Sequence, residues 1–138
     1  MNYIFWNIII NAILVGIILM TQFVNYPLFN SIHSDFIKYH KSYTNRMGYV
    51  VAPLMLFELI LVIYIILNHY ESLLAIFIVS FTIIIWASTF LIQVPIHNIL
   101  SDKKEKNKVR FLIKSNYIRT VCWILKLFFS VLFFEIIM

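Results

Sequence analysis

Glu58 lies inside a long apolar run, and His97 closes another in Gln93-Val94-Pro95-Ile96-His97. A charge at the centre of a membrane helix costs about 2.5 to 3.5 kcal/mol on insertion scales, so such groups need partners or a purpose. A carboxyl and an imidazole at the edge of a water-poor site are suited to proton exchange with a bound molecule. The next apolar run opens Asn116-Tyr117-Ile118-Arg119-Thr120-Val121-Cys122-Trp123, in which Asn116, Arg119, Thr120 and Trp123 share one helix face. With Gln22, Tyr26 and Gln93, that face supplies amide, phenol, guanidinium and indole groups able to orient a substrate and hold a developing oxyanion. Glu58 and His97 are therefore the expected catalytic groups, and Gln22, Tyr26, Gln93, Asn116, Arg119 and Trp123 the expected substrate-binding ones. A second chemistry uses some of the same residues: His40, His97 and Glu58 are donors for a divalent metal, although no His-x-x-x-His or Glu-x-x-His pair accompanies them. The cofactor is left open, with none or that metal as the alternatives.

The elements that position these groups follow from composition. Of 138 residues, 62% are hydrophobic and 12% charged, against roughly 25% charged in a soluble domain. Two glycines and three prolines fit long helices and not the alternating strands of a membrane barrel. Four apolar runs approach or exceed the roughly 20 residues that cross a bilayer: Ile4 to Val24, Tyr49 to Leu67, Leu73 to Val94 and Tyr117 to Ile137. The fold expected is all-α, an integral-membrane four-helix bundle forming one domain over 1–138. No repeat or domain boundary is evident at this level. The first run is longer than a signal-peptide core and has no basic start or small-residue cleavage site, so a retained span is expected.

The charge of +5 concerns sidedness and not nucleic acid, because the basic residues gather in two connections. Residues 25–48 carry Lys38, Lys41 and Arg46; residues 95–116 carry Lys103, Lys104, Lys106, Lys108, Arg110 and Lys114. By the excess of Lys and Arg in cytoplasmic loops, both connections face the cytoplasm and both termini lie outside, as in a bacterial inner-membrane protein. Phe36, Tyr39, Tyr43 and Met47 recur at helical spacing, so 33–47 forms either an interfacial helix or an early extension of the second span, with Ser34 as its N-cap. The one cysteine, Cys122, excludes an internal disulfide and reads as a packing thiol.

Within the spans, Asn7, Asn11 and Gln22 fall within about 60° of one another, as do Thr82, Trp86, Thr89 and Gln93. These stripes face inward, either as interhelical hydrogen bonds or as walls of a site. Pro53 predicts a kink or an inserted water near the Tyr49 carbonyl, and Pro95 predicts a helix end. Glu58 and Lys126 each lie nine residues past a tyrosine, Tyr49 and Tyr117, or about 13 Å along the helix. An ion pair between them is therefore open, as is a Glu58 contact with Arg119. Arg119 reaches either inward or to headgroup phosphates, and Lys126 either pairs or snorkels.

The pattern Pro95-x-His97-x-x-Leu100 followed by Asn116-x-x-Arg119-Thr120 resembles the closing half of the small four-helix membrane proteins related to anthrone oxygenases. The likeness covers roughly the last third of the chain, together with the four-span plan. His97 stands where that family has asparagine, and Gln22, Tyr26, Glu58 and Gln93 have no assigned counterpart, so the substrate is not carried over. The resemblance implies oxidation of a polycyclic aromatic by dioxygen without an evident cofactor. The expected function is an oxidoreductase or oxygenase-like enzyme, acting on a lipophilic aromatic or quinone-like molecule that enters from the bilayer. The rival expectation is a non-enzymatic transporter or channel protomer, or an accessory subunit, whose polar cluster only fixes packing; oligomerisation is open in either case.

Overall fold

A computed structural model describes residues 2–137. Four long helices fill it: α1 (Asn2–Ser31), α2 (Phe36–Asn68), α3 (Leu73–Asp102) and α4 (Lys106–Ile137), each long and apolar enough to cross a membrane. No strand occurs among the described residues. The all-α membrane bundle expected from composition is what forms. Outward-facing apolar residues such as Leu67, Leu91 and Ile60 are exposed along the length of the bundle, and in a bilayer this surface meets lipid at no hydrophobic cost.

The helices overrun the apolar segments. At 1.5 Å per residue the 33 residues of α2 extend about 50 Å, well beyond a hydrocarbon core of roughly 30 Å. The excess lies at the lysine-rich end, where 36–48 continues the second span without a break and 106–116 does the same for the fourth. Residues 33–47 therefore do not form a separate interfacial helix. Helix α2 begins with Asp35, not Ser34, at the N-cap position, in the left-handed region at φ 55°, which Asp tolerates better than most residues. Lys104 donates to the Ile32 carbonyl and lies over the Phe36 ring, pinning this turn. The basic end has its own core of Tyr26, Phe29, Phe36, Ile96, Leu100, Val109 and Leu112, because amphipathic extensions must bury their apolar stripe once they leave lipid.

Pro53 sits inside α2, which runs on through it. Pro95, expected to end its helix, does not end α3, which continues to Asp102. In α1 and α3 a π-turn comes first: Thr21–Asn25 ahead of Pro27, and Thr89–Gln93 ahead of Pro95. The Tyr26 N–H donates to the Thr21 carbonyl, and the Val94 N–H to the Thr89 carbonyl, each five residues back. Each proline then falls in the first turn of the helix that resumes, where a missing N–H does no harm. Both threonines also donate to the carbonyl four residues earlier, Thr21 to Ile17 at 2.8 Å and Thr89 to Ile85 at 2.7 Å.

This coincidence is part of a larger one. Thr21 and Thr89, Pro27 and Pro95, Tyr49 and Tyr117, and Glu58 and Lys126 are pairs with one common separation in the chain. Their helices match in length, at 30 and 33 residues in the first half and 30 and 32 in the second. The two halves thus repeat one helical hairpin in the same orientation, contrary to the expectation of no repeat. The correspondence rests on these positions and the π-turns; most of the residues between them differ, which is why composition and periodicity do not reveal it.

Helix α4 packs on α3 and α1, and α1 on α2. Helix α2 meets α3 along Leu73–Ser88 and again along Val94–Asp102, but scarcely along the intervening Thr89–Gln93. The bundle is open at that level.

Candidate functional site

The opening leads to a cavity of about 540 Å³, within the 300 to 1,000 Å³ typical of small-molecule sites. Its deeper wall is apolar, with Leu14, Ile17, Ile18, Val51, Met55 and Trp123, while Tyr26, Tyr43, Gln93, His97 and Arg119 line its polar end. Exposed residues of α2 and α3, among them Gly48, Ala52, Phe90 and Val94, form the mouth. Most of these lie in or beside the apolar runs, so the mouth faces lipid near the basic end of the bundle.

A chain of hydrogen bonds starts at this polar end. The Tyr26 hydroxyl donates to Gln93 Oε1 at 3.3 Å and also meets His97 Nε2 at 2.9 Å. His97 Nδ1 lies 2.9 Å from His40 Nε2, and His40 Nδ1 lies 3.2 Å from Ser101 Oγ. On the other side Gln93 Nε2 donates to Ser115 Oγ at 3.0 Å, and Ser115 donates to the Leu112 carbonyl at 3.3 Å. Because Tyr26 spends its proton on Gln93, His97 must donate to it through Nε2. His97 Nδ1 is then an acceptor, His40 donates through Nε2, and Ser101 donates to His40 Nδ1. One donor direction therefore runs from Ser101 to Leu112 with both imidazoles neutral. The π-turns and prolines make this geometry, since they set Tyr26 on α1 and Gln93 and His97 on α3 facing each other.

Arg119 is positioned from the opposite side. Gln22 Oε1 accepts from Asn116 Nδ2 at 2.9 Å and from Thr120 Oγ1 at 3.2 Å, while Gln22 Nε2 donates to the Ile113 carbonyl at 3.0 Å. Asn116 Oδ1, held in this way, accepts from Arg119 Nη1 at 3.3 Å. Arg119 is 8% exposed, and its guanidinium Nε has no partner. Arg119 faces the cavity, so it anchors no headgroup at the outer surface. Tyr26, Tyr43 and His97 lie within its electrostatic reach.

The expected site residues thus divide. Tyr26, Gln93, His97, Arg119 and Trp123 line the cavity, but Gln22 and Asn116 do not. Their hydrogen-bonding capacity is largely taken up between α1 and α4, and they act by holding Arg119. Glu58 is not part of the same network as His97. It contacts the Lys126 ammonium directly in the buried centre of the bundle, and Lys126 Nζ also lies over the Trp123 ring at 4.8 Å. Helices α2 and α4 are diagonal in the bundle, so only long side chains meet there. Trp123 is the partition: one side borders the cavity and its ring receives the ammonium. The anticipated Glu58 to Arg119 contact does not form, because Lys126 meets the carboxylate first.

The metal set is not assembled either. His40 and His97 spend facing nitrogens on each other, Glu58 is held by Lys126, and no three His, Cys, Asp or Glu side chains converge among the described residues. Sequence reasoning left out Ser101, Ser115 and the pairing of His40 with His97. His40 and Tyr43, three apart on one helix face, were the available signal for an inward-looking stripe there. No family model, curated protein or solved structure matches the chain.

Proposed function

We propose that this chain is a membrane-embedded enzyme that admits a lipophilic aromatic or quinone-like molecule from the bilayer and removes a proton from it, the opening step of an oxidoreductase or oxygenase-like reaction. The observation that carries this reading is the continuous hydrogen-bond chain from Ser101 through His40 and His97 to Tyr26, ending at a cavity that opens to lipid. Removal starts from the reverse donor order, in which Tyr26 donates to His97 Nε2, His97 Nδ1–H to His40 Nε2 and His40 Nδ1–H to Ser101. When the bound acid gives its proton to Tyr26 Oη, the Tyr26 proton passes to His97 Nε2, the His97 Nδ1 proton to His40 Nε2 and the His40 Nδ1 proton toward Ser101 and water. This leaves the donor order that runs from Ser101 to Leu112; both imidazoles then exchange tautomers to reset the chain. One proton leaves the substrate, one appears at the basic end, and no residue is left charged. The electron-rich anion stays beside Arg119, where dioxygen is the oxidant in the reaction that the anthrone-oxygenase resemblance implies. The setting is a bacterial inner membrane, with the lysine-rich end in the cytoplasm and both termini outside, by the distribution of Lys and Arg.

The test is stopped-flow deprotonation of a lipophilic phenol by the protein in detergent. Tyr26→Phe and His97→Gln, folded as judged by their melting temperatures, should slow it by at least about a hundredfold. Parent-like rates in both variants would overturn the relay. A second reading, a small transporter, is favoured by the repeated hairpin, since parallel repeats about an axis normal to the membrane are a transporter plan. Accumulation of the same phenol in proteoliposomes, driven by a pH gradient and without chemical change, decides for transport.

A further inference from the structure

Arg119 is a buried cation with too few acceptors. Its guanidinium offers five N–H donors, yet it closes a hydrogen bond to Asn116 Oδ1 at 3.3 Å, has the Tyr26 hydroxyl nearby, and among the described residues no carboxylate pairs with it. The bundle's buried carboxylate, Glu58, is already matched by Lys126. A cation held this way at the end of an apolar cavity leaves one charge uncompensated, and such a charge is costly unless something neutralises it.

Two further donors line the same cavity without partners. The Tyr43 hydroxyl, with Thr21 and Asn25 nearby, closes no hydrogen bond of good geometry, and the Trp86 indole N–H has no partner. Tyr43 lies near Arg119. Nothing in the cavity wall carries a negative charge, so the lining lacks the one kind of group that would complete it.

We infer that the cavity is a site for the oxyanion of a lipophilic weak acid, with Arg119 binding the charged oxygen, Tyr43 beside it and the apolar wall receiving the body. This rests on the proposed reading for the cavity and its lipid-facing mouth, and it narrows the ligand from any aromatic or quinone-like molecule to one bearing an ionisable oxygen. Charge-assisted bonds from a guanidinium to an oxyanion are roughly twice as strong as neutral ones, and in a water-poor cavity they are screened little by salt. A neutral analogue of the same shape forgoes them. The oxyanion has two natural sources, a phenolate or enolate on an aromatic body and the carboxylate of a fatty acid, and the experiment separates them.

The probe is a 4-nitrophenol with a long alkyl chain, whose ionised form absorbs at longer wavelength, together with its methyl ether. Both are titrated against the full-length protein in detergent micelles, with binding read by quenching of Trp86 and Trp123 in the cavity wall. The phenol should bind at least about tenfold more tightly than the ether, and the protein should lower the phenol's apparent pKa by about one unit relative to micelles alone. Arg119→Gln should abolish both differences, while Arg119→Lys retains part of each. Stearate displacing the probe better than unlabelled alkylphenol assigns the site to fatty carboxylates; the reverse order assigns it to phenolates. Equal binding of phenol and ether by the parent protein overturns the inference whatever the variants do, as does an unchanged pKa shift in a folded Arg119→Gln. These are equilibrium measurements, so they stand or fall independently of the deprotonation rate that tests the relay.

Discussion

The bundle buries polar groups in two places, and the contrast between them separates construction from function. Around Glu58 and Lys126 the charges face each other: carboxylate meets ammonium, and nearer the terminal end Asn7 and Asn11 both donate to Ser130, at 3.1 and 3.4 Å, while their own Oδ1 atoms close no hydrogen bond. None of these residues borders the cavity. Around Arg119 the arrangement is lopsided, with donors left over and a hollow beside them. Burying a charge is tolerable once it is paired, so the neutralised pair is explained by helix packing alone. The unneutralised Arg119 is not, and it lies where the wall opens to lipid.

The sharpest way to break this comparison is to unbalance the matched side. Lys126→Met leaves Glu58 buried without its cation and should cost about 3 to 5 kcal/mol, read as a large fall in melting temperature in detergent; adding Glu58→Gln should restore most of it. If the double variant is as unstable as the single one, the pair is not a balanced packing device. On the unmatched side the expected signature is the opposite. His97→Gln should leave the melting temperature within a few degrees of the parent while slowing deprotonation at least about a hundredfold. Asn116→Ala comes next: it removes the amide that holds the guanidinium in place, and it should weaken binding of an alkylphenolate by about tenfold with less effect on the methyl ether. The smallest effect belongs to Asn11→Leu, which removes one interhelical bond worth about 0.6 kcal/mol in membrane proteins and should leave phenol binding unchanged.

Much of this division was legible in the residues, though not which set was which. Glu58 and Lys126 could be paired from their equal depth past Tyr49 and Tyr117, because helical rise is regular enough to carry a prediction over nine residues. The inward face of Asn116, Arg119, Thr120 and Trp123 was legible for the same reason. Regularity also misled. A uniform turn puts Pro95 at a helix end, whereas the π-turn at Thr89–Gln93 absorbs the proline and carries α3 onward to Ser101. The meeting of His40 with His97 follows from that continuation and from α2 starting at Phe36, both of which lie outside the apolar runs that hydropathy detects. The roles of Gln22 and Asn116 depended on which of two inward-facing amides would meet a neighbour and which a cavity, and that is decided by packing between helices far apart in sequence.

The widened turns behave as single-residue insertions in otherwise regular rods. Relaxing Thr21–Asn25 to an ordinary helical turn with every residue kept would restore an even ladder of backbone bonds to α1, yet everything beyond it would swing by about 100° around the rod's axis. Tyr26 would then point away from His97 and Phe29 out of the core beneath the lysines. A regularity that looks favourable for one rod would thus uncouple the chamber from the aqueous side, and the same relaxation within Thr89–Gln93 would do so from the opposite wall; only the loss of one residue along with it would undo the swing.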